Sequence, residues 1–140
     1  MKIVIKVGTS TLAYPNGSLN IRRTEELCKV MSDLKNAGHE IILVSSGAIG
    51  MGVGKLALKE KPTDMPTKQA AAAVGQCELM YVYDKLFSEY RHTVAQILLT
   101  RENIVDTEQR QNIHNTFTEL TKIGVVPIIN ENDSVATAEL

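Results

Sequence analysis

The chain is short of the features that mark several common classes of protein. It has no block of basic residues, and 15 Lys and Arg against 16 Asp and Glu leave a formal net charge of -1, so nucleic acid is not an expected partner. No apolar run approaches the roughly 20 residues of a membrane-spanning helix, so no membrane partner is expected either. Cys28 and Cys77 are the two cysteines, far apart and both within helical patterns. That argues for reduced core thiols in a cytoplasmic protein rather than a disulfide. His39, His92 and His114 show no metal-ligand spacing with one another or with the cysteines; they read as surface or capping residues, and no residue is assigned to a metal. Met1-Lys2 leads straight into a strand pattern, without a signal-peptide pattern before it. Internal repeats and low-complexity linkers are absent as well.

What is present is ordinary for a globular protein: 140 residues, 44% hydrophobic and 22% charged. This length suits one domain, which buries roughly two-thirds of the surface its unfolded chain exposes. Along the chain, strand and helix patterns alternate. Lys2 to Val7 is rich in β-branched residues, with Lys2, Val4 and Lys6 on one face and Ile3, Ile5 and Val7 on the other. Pro15 to Ser18 signals a turn, and Asn20 is placed to cap a helix whose apolar face is Leu27, Val30, Met31 and Leu34, stopped by Gly38. Glu40 to Ser45 is a second strand. Lys59 to Pro66 is a polar surface connection, and Thr67 is the expected cap of a long helix to about Arg91, with Ala70, Ala73, Val74, Cys77, Met80 and Tyr81 at helical spacing. Its small residues from Ala70 to Gly75 would let it lie close to a neighbouring backbone. Thr93 to Leu99 is a third strand. Asp106 with Gln109 resembles a capping box for a helix to about Ile123, with Ile113, Phe117 and Leu120 on its apolar face, and Val125 to Ile129 is a fourth strand. Such alternation predicts a parallel sheet with helices on both faces.

The richest stretch is Ile41 to Gly54, IILVSSGAIGMGVG. A short apolar run breaks into two serines and a glycine-rich segment, expected as a strand and then a loop. Glycines permit close approach of backbone N–H groups to an anion, and they equally serve tight turns and packing. In open parallel sheets ligands sit beyond the carboxyl ends of the strands. Gly8-Thr9-Ser10, Ser45-Ser46-Gly47 and Asn130-Glu131-Asn132-Asp133 all lie there, which points to one joint site. Lys6 lies near the end of an otherwise apolar strand: a bound phosphate would partner it if the strand is central, and water would if it is an edge. Asn130 to Asp133 could orient an ammonium, a metal-bound water or a carboxylate, or form an Asx-turn. Two familiar phosphate motifs fail. Gly52-Val53-Gly54-Lys55-Leu56-Ala57 matches the dinucleotide pattern but begins several residues after the strand; a Walker A loop would need Ser or Thr at Leu56 and glycine at Ile49.

Lys6-Val7-Gly8-Thr9-Ser10, Val44 to Gly50, Lys68-Gln69 with Ala73-Val74-Gly75-Gln76, Leu98-Leu99-Thr100-Arg101, and Val126 to Asp133 with Ala136-Thr137-Ala138-Glu139 together resemble the amino-acid kinase family, at the branch acting on glutamate. The resemblance implies a three-layer αβα sandwich with a mostly parallel sheet, incomplete at the C-terminus. It also implies ATP-dependent phosphorylation of the glutamate side-chain carboxylate, a first step towards proline, with ATP as co-substrate and Mg2+. By the same resemblance Lys6 is catalytic and contacts the ATP phosphates together with Gly8, Thr9 and Ser10. Ser46, Gly47 and Ala48 hold glutamate, Asp133 binds its ammonium, and Asn130 and Glu131 shape the pocket. Proline is an implied inhibitor, and a homo-oligomer the implied assembly. Family members continue with a second lysine and a glycine-rich nucleotide-binding half. Residues 1–140 are therefore expected to be the N-terminal, substrate-binding part of a single kinase domain, with little turnover alone. Another enzyme of the family, or a regulatory amino-acid-binding module without catalysis, are the alternatives.

Overall fold

The β-branched run at the start of the chain forms β1 (Lys2–Val7), the first strand of a computed structural model that describes residues 1–137. Ala138 and Glu139, which close the last matched motif, lie outside the described residues. A single helical turn, α1 (Thr9–Leu12), follows Gly8 directly, where the sequence reading placed no helix. Then come α2 (Ile21–Asn36), β2 (Glu40–Ser45), α3 (Ala48–Lys55), α4 (Met65–Glu89), β3 (Val94–Leu99), α5 (Arg101–Val105), α6 (Thr107–Lys122) and β4 (Val126–Glu131). Among the described residues the four strands form one all-parallel sheet in the order β1-β2-β4-β3, flanked by helices, as expected of the α/β class.

One face of the sheet carries the core. Val7, Ile41, Leu43, Val126 and Ile128 meet Cys28 and Met31 of α2 and Leu79, Tyr83, Leu86 and Phe87 of α4. Strand alternation produces these rows, and it also decides what ends them. On β2 the buried positions run Ile41, Leu43, Ser45; on the same face of β4 they run Val126, Ile128, Asn130, with Pro127 buried on the other face. Two rows of apolar side chains thus finish in a buried polar group at the carboxyl end of the sheet. Lys6 points to the opposite face, in register with Val44, which pairs in turn with Ile129. With β1 at the end of the described sheet, its alternate residues Lys2, Val4 and Lys6 are exposed, so Lys6 reaches solvent without a buried ion partner.

Several local expectations change. The glycine-rich segment after Ser45 is not a loop but the helix α3, entered through Gly47 in the left-handed region at φ 100°. Gly52 is needed there because α3 lies almost backbone to backbone on α4, where Gly75 is needed in turn. A Cβ at Gly52 would stand 1.8 Å from the Ala71 carbonyl oxygen, and one at Gly75 would stand 1.6 Å from that of Ala48. Tertiary packing thereby outweighs the roughly 1 kcal/mol per residue that glycine costs a helix. The cap of α4 is Asp64, which accepts from the Thr67 N–H at 2.9 Å, so Met65 and Pro66 belong to the helix rather than to the connection. Its buried face is Ala71, Ala72, Gly75, Leu79, Tyr83, Leu86 and Phe87, whereas Ala70, Ala73, Cys77 and Tyr81 are exposed. Cys77 is therefore not a core thiol; Cys28 is, and both are free. In α2, Asn20 caps as expected, but Val30 is 54% exposed and Thr24, Cys28, Met31 and Ser32 are the buried residues. The reciprocal capping box belongs to Thr100 and Asn103 at the start of α5; Asp106 caps α6 singly, accepting from the Gln109 N–H at 2.8 Å.

Candidate active site

The carboxyl ends of β1, β2 and β4 open into a cavity of about 560 Å3. Lys6 and Thr9 stand on one side, Ser46, Gly47 and Ala48 form the floor, and Asn130, Glu131 and Asp133 form the other side. The three polar segments singled out in the sequence do converge. Gly8 and Ser10 are the exceptions. Gly8 is the N-terminal cap of α1, where a Cβ would meet nothing within 4 Å, and Ser10 lines an adjoining hollow of about 510 Å3 together with Thr9 and Tyr14. Lys61, from the α3–α4 connection, borders both hollows and carries a second positive charge to the cavity. Nothing in its polar surroundings in the sequence signalled this, because a lysine in a solvated linker looks the same whether or not the loop folds over a site.

The floor is built by the turn from β2 into α3. The Ser46 N–H and the Ser46 hydroxyl both donate to the Val7 carbonyl oxygen, each at 3.1 Å, so the turn is stitched to the end of β1. With its proton directed to Val7, Ser46 Oγ presents lone pairs to the cavity; it is set to accept from an ammonium, and must rotate to donate to a carboxylate. Gly47 then turns the chain, and the first intrahelical bond runs from the Met51 N–H to the Gly47 carbonyl at 3.0 Å. The N–H groups of Ala48, Ile49 and Gly50 precede that bond and have no intrahelical acceptor; Ala48, Ile49 and Gly50 all border the cavity. Three amide donors at the positive end of a helix favour an anion. A Cβ at Gly47 would come within 3.3 Å of the Thr9 side chain, so α1 is seated directly against this turn.

Behind the floor, α4 satisfies the buried polar groups that end the two core rows. Ser45 is hydrogen-bonded to the Tyr83 hydroxyl at 3.0 Å, with both residues buried. Burial pushes the Tyr83 phenol well above its ordinary value, so the group stays neutral. Asn130, 6% exposed, donates from Nδ2 to Gln76 Oε1 at 3.0 Å and accepts at Oδ1 from the Glu131 N–H at 2.8 Å. The segment after β4 is tied back by the Asn132 N–H, which donates to the Leu99 carbonyl at 2.8 Å, while Ser134 donates to Asn132 Oδ1 at 2.6 Å. The turn is closed by the backbone, with the Val135 and Ala136 N–H groups donating to the Asn132 carbonyl at 3.1 and 2.9 Å, and Asp133 within it borders the cavity. Among the described residues no group of three or more His, Cys, Asp or Glu side chains is placed to hold a metal ion.

Chemically the cavity offers two ammonium groups, a set of helix-end amides, a hydroxyl acceptor, an amide and two carboxyl groups. Among the described residues no His or Cys lines its wall to serve as a base. Such a set suits a ligand with both an anionic and a cationic end. Comparison with known proteins agrees in kind. The model of the "Amino acid kinase family" matches residues 1–140. The chain is 55% identical over 139 residues to a glutamate 5-kinase of Clostridium perfringens, covering 99% of this chain and 52% of that protein. It is equally 55% identical to glutamate 5-kinases of Enterococcus faecalis and Listeria welshimeri, of which it covers 51% and 50%. The chain spans about half the length of the curated relatives it matches.

Proposed function

The chain belongs to the amino acid kinase family, and from that premise we propose that it forms the acceptor-binding part of a glutamate 5-kinase domain, in which ATP phosphorylates the side-chain carboxylate of glutamate. The observation that carries the reading is the convergence of Lys6, the amide-rich start of α3 and the Asn130–Asp133 segment on one cavity. The names of the relatives support glutamate over other acceptors of the family.

The chemistry fits the groups present. A carboxylate is ionised at pH 7, so no general base is required. One of its oxygens bonds to the γ-phosphorus of ATP as the bond to the bridging β–γ oxygen breaks; ADP leaves and an acyl phosphate remains. The difficulty is bringing two anions together, and catalysis is positioning plus neutralisation of charge. In this reading the Lys6 ammonium lies between them, and Gly8, Thr9 and Ser10 border the phosphate path, Gly8 leaving it unobstructed. Ser46 with the Gly47 and Ala48 backbone holds glutamate, Asp133 takes its ammonium, and Asn130 and Glu131 shape the wall. Mg2+ would accompany the nucleotide, and no residue of this chain is assigned to it. Proline, which shares the amino-acid end of glutamate, would compete there. Self-association as a homo-oligomer and a cytoplasmic setting complete the proposal. Among the described residues no helix is long and apolar enough to cross a membrane.

Titration calorimetry with L-glutamate, L-aspartate, L-proline and a non-hydrolysable ATP analogue tests this reading. Saturable glutamate binding, competed by proline, is expected. Asp133→Ala should weaken it about tenfold or more, the loss expected for a hydrogen bond to a charged group, whereas Lys6→Ala should leave it within about threefold, because Lys6 acts chiefly on the transferred phosphoryl group. Absence of glutamate binding by the wild type, or wild-type affinity in the Asp133 variant, overturns the assignment.

A further inference from the structure

Among the groups that the proposed reaction does not use, Gln76 stands out by its bonds. It lies on α4 facing the end of β4, and its two polar atoms are both engaged: Oε1 accepts from Asn130 Nδ2 at 3.0 Å, and Nε2 donates to Gln96 Oε1 on β3 at 3.1 Å. Asn130 in turn accepts from the Glu131 N–H at 2.8 Å. The polarity of this chain is not arbitrary. A backbone N–H can only donate, so Asn130 must turn Oδ1 towards it and Nδ2 away. Gln76 must then present its oxygen to Asn130, which leaves its nitrogen for Gln96. One fixed donor orients three carboxamides in succession.

We infer that Gln76 is a positioning residue for the cavity: it holds the Asn130 carboxamide in the single orientation that the Glu131 N–H permits. With these two bonds made, Asn130 keeps one amide hydrogen and one oxygen lone pair for the cavity it borders. Without Gln76, a nearly buried N–H loses its acceptor, and the carboxamide gains a reason to rotate and abandon the Glu131 N–H. The ligand readout below rests on the glutamate reading; the orientation of Asn130 does not.

Two-dimensional 15N NMR of the side-chain amides, with calorimetry on the same samples, tests the inference. The Asn130 pair is identified by its disappearance in Asn130→Asp. In Gln76→Met its hydrogen exchange should rise about tenfold, the effect of losing one bond to a buried donor, and the glutamate Kd should rise by about the same factor. Gln96→Met, which removes only the outer, exposed link, should change either quantity by less than about threefold, since water can replace it. Gln76→Glu keeps an acceptor facing Asn130 and should preserve the protection of the pair, which also guards against a methionine variant that fails to fold. An Asn130 pair unchanged in Gln76→Met, or lost in Gln76→Glu, overturns the inference whatever glutamate does. A responsive pair with an unchanged glutamate Kd also overturns it, since the bond then serves only the fold. A responsive pair in a protein that does not bind glutamate upholds the orientation of Asn130 and sinks the glutamate reading instead.

Discussion

Replacing Gly75 by alanine sets helix propensity against a backbone contact, and the two predict opposite signs. Gly75 is inside α4, where the exchange should stabilise the helix by about 1 kcal/mol if nothing else mattered. But the added Cβ would sit 1.6 Å from the Ala48 carbonyl oxygen and 2.6 Å from the Gly52 nitrogen, both backbone atoms of α3. No rotamer change relieves such contacts; the helices must separate. Overpacking at a rigid site costs about 1–3 kcal/mol and occasionally more, and an approach this short belongs at or above the top of that range. The net expectation is destabilisation by about 2 kcal/mol, a fall in Tm of roughly 6–8 °C for a chain of this size. Since Ala48 begins α3 and borders the cavity, glutamate affinity should fall with stability. Calorimetric melting with matched ligand titration measures both. Gly8→Ala is the control: its φ is -81° and a Cβ there has no neighbour within 4 Å, so Tm should hold within about 2 °C. A Gly75→Ala protein that melts at or above the wild-type temperature would refute the close-packed pairing of α3 with α4.

Other outcomes follow from the same geometry. Cys77 is exposed, while Cys28 is fully buried with its thiol pushed up to about 12 by desolvation, so an aromatic disulfide reagent should titrate one thiol in the native protein and the second only in denaturant. The Thr67 hydroxyl and backbone N–H hold the Asp64 carboxyl below its ordinary value of 3.8. A depressed folded value means that the stability this cap supplies is present above the unfolded value and is lost as pH falls through the folded one. Asp64→Asn should therefore flatten the acid limb of a Tm–pH profile, and an unchanged limb would dismiss the cap as its source. Lys61→Gln should weaken glutamate two- to fivefold at low ionic strength, and the difference should vanish at about 0.5 M salt, where exposed charges are screened; a deficit that survives salt would mean that Lys61 acts by packing instead.

The order of strands and helices was legible because period-two and period-3.6 patterns alternate cleanly, and the parallel sheet follows from that alternation. The buried face of α4 was not. A helix of 25 residues with alanines at 70, 71, 72 and 73 and apolar groups on more than one side offers competing stripes, and the stripe through Ala70, Ala73, Cys77 and Tyr81 has the right spacing but faces solvent. Convergence of Lys6, Ser46 and Asp133 was legible, since all three follow or end strands of one parallel sheet. Lys61 was not, because its approach depends on the path of a connection that no periodicity describes. Glycine in Ile41–Gly54 was misread as loop: its intrinsic helix penalty is about 1 kcal/mol per residue, and what offsets it, the close approach of Ala71 to Gly52 and of Gly17 to Gly54, is invisible in a local window.

The two readings offered for that stretch, tight packing and the anion cradle proposed here, concern different residues. Gly52 and Gly54 serve packing, with Cβ positions 1.8 Å from the Ala71 carbonyl oxygen and 2.8 Å from the Gly17 carbonyl carbon. Gly47 serves the turn, and the amides of Ala48, Ile49 and Gly50 are what the turn exposes. A helix end is a useful anion site only if it cannot drift, because a misplaced donor loses most of its electrostatic advantage. Drift is opposed from behind as well. Tyr83 and Gln76 are seven residues apart on α4, hence on one face of it. They hold Ser45, the residue before the floor, and Asn130, the residue at the wall. One helix therefore fixes both banks of the cavity through two side-chain bonds while its glycine and alanines clamp α3. Cutting either bond should loosen one bank and leave the other, so the effects of Tyr83→Phe and Gln76→Met on glutamate affinity should add. Strong non-additivity would mean that the banks move as a single unit.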